Sequence, residues 1–231
     1  GTTYLTCGSL NGDDGPVYLI GCKSGWSGNR LPSDYVQKYF NVSNVDYAAG
    51  TYDCADERGK RFINKGRTEM TDADLLVFTA GWSCYKFSNI PHDGTADKYA
   101  EIASSQKYSD VDFPLIRLGE IHLIYAEACM HAGGSASSQL AALAERAGVE
   151  APAEVNEEWL MAERARELMW EAHRRTDLIR YGKWISGYNW TYKGGNFGGQ
   201  DLPSHFNVFP VPSTELATNL ELEQNPGYAR P

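Results

Sequence analysis

Three carboxylates at four-residue intervals, Glu163, Glu167 and Glu171, line one stripe of a segment that reads as helix. Two carboxylates are enough for glycoside hydrolysis, one as acid and the other as base or nucleophile. That use needs one of them isolated and desolvated, so that its pKa rises. Here Arg164, Arg166, Arg174, Arg175 and Arg180 crowd the same stretch, and Asp177 adds a further acid. Neighbouring guanidinium groups lower a carboxyl pKa instead of raising it. The pattern therefore reads as an ion-pair lattice that locks helices together, and not as a catalytic centre.

Other reactive arrangements are weaker. His122, Glu127, Cys129 and His131 fall on one apolar helix, but no HExxH or HxxxH spacing occurs, so a core histidine is expected and no metal or cofactor is implied. No GxSxG elbow or framed cysteine offers a nucleophile. GYNWTYKGGNFGGQ (187–200) is glycine-rich, yet it lacks the spacing and the strand–helix setting of a phosphate cradle. Aromatic side chains remain. Trp26, Tyr52, Trp82, Trp190 and Tyr192 all fall in loops or strand edges near Gly, Asn and Asp. Flat ring faces beside hydroxyl partners make a platform for sugars, and these five are the candidate ligand-binding residues. The opposing reading is that each ring plugs a gap in the fold, and Trp82 and Trp184 lean that way.

Composition limits the partners. The 231 residues carry a net charge of −9, which argues against nucleic acid and against a basic patch for anionic lipid. No run approaches the roughly 18 apolar residues that span a bilayer. The five cysteines are odd in number and none is spaced as CxxC, which disfavours structural zinc and a dense disulfide framework. Cys7 and Cys22 flank a turn-rich stretch and could pair. The opening GTTYLTCGSL has neither a basic nor an apolar targeting segment, as expected of a mature or truncated piece.

The elements that position these residues divide near residue 110. Before it, short strands are expected at 17–21, 61–63, 75–81 and 84–87, and a helix at 34–40 with Ser33 as N-cap. After it, helical spacing predicts 116–134, buried around most of its circumference, then 137–148, about 157–174 and 175–185. Gly133 and Gly134 end the first of these and Gly148 the second. The fold expected is mainly α: a solenoid-like helical core, long irregular loops and a few short strands, in a single domain over 1–231.

Three segments carry a family resemblance. DFPLIRLGEIHLIYAEA (112–128) resembles the hallmark helix of the SusD/RagB nutrient-binding lipoproteins. RARELMWEAHRRTDLIRYGKW (164–184) and FNVFPVPSTELATNLELEQNPGY (206–228) resemble that family's later motifs in the same order. GWSGNRLPSDYVQKYF (25–40) and DERGKRF (56–62) are similar to earlier ones, with Glu57 where the family usually has Pro. The resemblance implies a tetratricopeptide-like fold, of which this chain is similar to the C-terminal half. It implies a cell-surface lipoprotein of the outer membrane, without catalysis or cofactor, that binds oligosaccharide or polysaccharide and delivers it to a SusC-like TonB-dependent transporter. Glu167, Arg174, Arg175, Asp177 and Arg180 match its motif positions and are expected to form a structural ion-pair network. The alternative expectation is a helical-repeat module that binds a peptide or protein partner.

Overall fold

A computed structural model describes residues 2–11, 20–21, 24–90, 109 and 111–229. The strand expected at 17–21, the pairing of Cys7 with Cys22, and most of the loop at 88–98 rest on residues outside these. The architecture is mainly α, with short strands. The chain divides into two compact units, 1–173 and 174–231.

In the first unit the helices are α1 (Thr3–Cys7), α2 (Ser33–Phe40), α3 (Leu118–Ala132), α4 (Ser137–Ala147) and α5 (Glu157–Glu167). Both α4 and α5 pack on α3. Leu123 and Ala126 of α3, Leu140 and Leu143 of α4, and Leu160 of α5 form a buried cluster with Ala136. The stops of α3 and α4 lie where the sequence places them, because Gly133 and Gly148 take the left-handed C-cap conformation at φ of 72° and 67°. The circumference of α3 departs from expectation. Leu118, Ile121, Ile124 and Tyr125 are exposed, since α4 and α5 cover the opposite face.

Two small antiparallel pairs complete this unit. β1 (Ser43–Asp46) pairs with β2 (Thr51–Asp53), and β3 (Phe62–Ile63) pairs with β4 (Ser83–Cys84), Phe62 opposite Cys84. The run 75–81 is no strand, despite its β-favouring residues. Three of its carbonyls, with that of Asp74, converge on one cation. The Arg30 guanidinium donates to Leu75 O at 2.6 Å, Ala80 O at 3.1 Å, Asp74 O at 3.2 Å and Val77 O. Leu75, Leu76, Val77 and Phe78 are left exposed on the resulting loop. Ser33 is not the N-cap of α2, which falls on Pro32. Its hydroxyl accepts from the Trp82 indole N–H at 3.2 Å instead.

The long helix expected over 157–174 ends at Glu167. Trp170 and Ala172 both have positive φ, 71° and 62°, in a segment with no glycine or proline to announce the break. An L-residue in this region costs about 1–2 kcal/mol. Ala172 is exposed, so a glycine there would forfeit no packing. Ala172→Gly is expected to stabilise the protein by about 0.5–1 kcal/mol, read as a higher urea midpoint. An unchanged or lower midpoint would contradict this backbone assignment.

The second unit holds α6 (Arg174–Arg180) and α7 (Ser213–Thr218). Its C-terminal QNPGY sequence acts as a clamp. The Gln224 amide exchanges hydrogen bonds with Val211, accepting from its N–H at 2.8 Å and donating to its carbonyl at 3.0 Å. Asn225 donates to Phe209 O and the Tyr228 hydroxyl to Val208 O. Side chains after α7 thereby fix the backbone before it. Among the described residues no helix is long and apolar enough to cross a membrane.

Candidate functional site

The carboxylate stripe is buried within the first unit. Glu167, its side chain 1% exposed, faces three guanidinium groups. Arg58 Nη1 lies 2.9 Å from Oε2, while Arg117 Nη1, at 2.7 Å, and Arg146 Nη2 both reach Oε1. Burial alone would raise the Glu167 pKa, but these donors outweigh it and hold the carboxyl below its usual range. Glu171 pairs with Lys86 and with Arg117 at 2.5 Å, and Glu163 with Arg58 and Arg166 at 2.7 Å. Asp56 takes the remaining fork of Arg58 at 2.7 Å. Lys86 also donates to the Glu167 and Met169 carbonyls at 2.8 Å. Burial pulls the Lys86 pKa down, against the opposing pull of Glu171.

Each carboxylate of the stripe is thus a partner in a scaffold. Of the expected network residues, Glu167 is its hub. The others make contacts within the second unit. Arg180 Nε lies 3.3 Å from Asp177 on the same helix. Arg174 donates to the Tyr188 hydroxyl at 2.8 Å. Arg175 donates to Phe206 O at 2.9 Å and lies 4.0 Å above the Phe209 ring centre. Sequence reading missed the partners Arg58, Arg117 and Arg146. Arg58 and Arg117 stand inside motif segments already singled out, DERGKRF and DFPLIRLGE, and that was the available signal.

The five candidate rings separate by environment. Trp26 is 52% exposed, on a turn held by its N–H donating to Cys7 O at 2.9 Å. Trp82 is 1% exposed and meets Tyr47, Tyr52 and Phe62 edge to face, with centroids 5.1–6.3 Å away. It is a core plug with no face for a ligand, which corrects its place among the candidates. Tyr52 supports it: the hydroxyl lies 3.0 Å from both the Gly59 and Phe62 carbonyls, and burial pushes its pKa up. In the second unit Trp190 is half-buried, stacked on Trp184 at 5.3 Å with the Lys193 ammonium 5.0 Å over its ring. Tyr192, at φ 67°, meets Phe197 edge to face in the same loop. The structure brings Tyr52 and Trp82 into one aromatic cluster, and Trp190 and Tyr192 into one loop.

Among the described residues, the first unit carries two clefts of note. One, of about 300 Å³, lies among α2, α4 and α5 and includes Tyr39 and Trp159. The other, of about 470 Å³, opens beside the ion-pair scaffold. No group of His, Cys, Asp and Glu suited to a metal ion occurs among the described residues.

A model of the SusD family matches residues 35–228. The starch-binding protein SusD of Bacteroides thetaiotaomicron is 30% identical over 262 aligned positions, covering 99% of this chain and 46% of that protein. The chain therefore spans about half the length of the curated relative it matches. A SusD-superfamily protein from Parabacteroides distasonis is 20% identical with a TM-score of 0.52, over 84% of this chain and 46% of that one. Surface glycan-binding protein A from B. thetaiotaomicron, in complex with laminarihexaose, is 23% identical with a TM-score of 0.48, over 67% of this chain and 33% of that one. The family match takes in the residues that build the scaffold from Arg58 to Glu171, the helices around it and the C-terminal clamp: the chain belongs to the SusD family.

Proposed function

We propose that this protein captures glycans at the surface of the outer membrane, as a lipid-anchored protein, and passes them to a SusC-like TonB-dependent transporter. The observation that carries this reading is the 30% identity to a starch-binding protein along 99% of the chain. Its action is binding without catalysis. The pairing of Glu163, Glu167 and Glu171 with Arg and Lys supports that, since none is left isolated to serve as a general acid.

The ring offered to ligand is Trp26, whose indole is more than half open to solvent. The Trp190–Tyr192 loop supplies a second aromatic surface, with Asn196 and Gln200 exposed beside it for sugar hydroxyls. Calorimetric titration with starch-derived malto-oligosaccharides tests this. Trp26→Ala is expected to weaken binding at least about fivefold, the loss of roughly 1–3 kcal/mol that a stacked ring supplies by comparison with base–aromatic stacking. Unaltered affinity in both Trp26→Ala and Trp190→Ala would remove these rings from the site. A protein partner is a second reading. One observation favours it: the contiguous exposed apolar residues Leu118, Ile121, Ile124 and Tyr125 on α3.

A further inference from the structure

The 470 Å³ cleft has a charge pattern that the scaffold alone does not explain. Six basic side chains and three carboxylates line it, in a protein whose net charge is −9. Two of the carboxylates, Glu167 and Glu171, are already matched by Arg58, Arg117, Arg146 and Lys86. The third, Asp112, is exposed. Arg61 also lines the cleft, is exposed, and makes no ion pair among the described residues. Arg146 engages Glu167 through Nη2 alone, and its side chain is 56% exposed, so the rest of its fork faces outward. Phe87, Pro114 and Met169 supply an apolar wall beside these cations. The volume lies within the range of clefts that hold small ligands.

We infer that this cleft takes an acidic sugar residue, its carboxylate on Arg61 and Arg146 and its carbon face on the Phe87–Met169 wall. Guanidinium forks match a carboxylate in plane and in charge, and a neutral sugar leaves the outward-facing donors of Arg61 and Arg146 to water. Glu167 and Glu171 cannot fill that role, because their oxygens already accept from the buried side of the same cluster. The inference rests on the glycan-binding reading, but Trp26, Trp190 and Tyr192 are not among the residues that line this cleft. It extends the proposed cargo to glycans bearing uronic acids.

The test is titration of the whole chain with a galacturonate trisaccharide and with neutral maltotriose, at 50 and 500 mM salt. Arg61→Ala and Arg146→Ala are run beside it, with thermal midpoints to confirm folding. Arg61→Ala is the cleaner variant, since Arg61 takes no part in the ion-pair scaffold. The expected result is galacturonate binding that falls at least about tenfold in Arg61→Ala and weakens at high salt, as exposed charge pairs do. Neutral binding should not change. Galacturonate affinity unchanged in both variants would overturn the site. Neutral binding with no galacturonate binding would overturn it while leaving the glycan reading intact. Binding of neither sugar would overturn both.

Discussion

Glu167→Ala is expected to destabilise the protein by about 3–5 kcal/mol, because removing one member of a buried ionic cluster leaves the others without compensation. The side chain is 1% exposed and is the shared acceptor of Arg58, Arg117 and Arg146. Its loss strands three cations, two of them largely buried. Arg146→Ala is the control. That side chain is 56% exposed, and its deletion is expected to cost under about 1 kcal/mol. Urea denaturation of the two variants separates a hub from a rim. Equal losses, or a small loss for Glu167→Ala, would contradict the hub role.

The same residue sets an acid limb. Its folded pKa lies below the usual 4.5, so its contribution is fully present above that value. It is lost as pH falls through the folded pKa, because the unfolded chain then binds the proton more readily. Stability measured from pH 6 downward should therefore fall below about pH 4.5 in the parent protein. The fall should be shallower in Glu167→Gln, which has no carboxyl to protonate there.

Trp82→Ala is expected to cost about 3–5 kcal/mol, as large-to-small changes at buried aromatic positions do. The ring fills the space among Tyr47, Tyr52 and Phe62, and its N–H is satisfied by Ser33. Trp26→Ala should change stability by no more than about 0.5 kcal/mol, since the ring is mostly in solvent. The two tryptophans thus carry opposite expectations: loss of fold with Trp82, loss of glycan with Trp26. Chemical denaturation and calorimetry on the same pair of variants read both. Retained stability in Trp82→Ala would show that the ring is not a core member.

Both residues mark how far the sequence reaches. The four-residue spacing of the Glu stripe is visible in the sequence, but the cations that hold the Glu167 carboxyl below its usual range are Arg117 and Arg146, not the arginines crowded beside it in the chain. The scaffold itself is not visible, because Arg58 and Arg117 lie 109 and 50 residues from Glu167. Nothing in local periodicity pairs positions that far apart. Trp82 follows a glycine between two expected strands, and its place as a plug is only a leaning at the level of sequence. Its burial comes from pairing with Leu31 and from the aromatic cluster, both tertiary.

Helix stops at glycine are legible because only the left-handed conformation ends α3 and α4 there. The break after Glu167 is not, since Trp170 and Ala172 adopt the same region against their intrinsic preference. Residues 75–81 mislead for a related reason. Local β propensity is overridden by one guanidinium that collects four carbonyls. The ligand-facing residues are the least legible of all. An exposed Trp and a plugging Trp have the same local sequence chemistry, and only packing distinguishes them.

The most direct measurement is native electrophoresis of the protein through gels containing a panel of polysaccharides, with each glycan then assayed for new reducing ends. The expected result is retardation by at least one polysaccharide, abolished in Trp26→Ala, with the glycan recovered intact. Free migration through every glycan, or release of reducing ends during incubation, would contradict it.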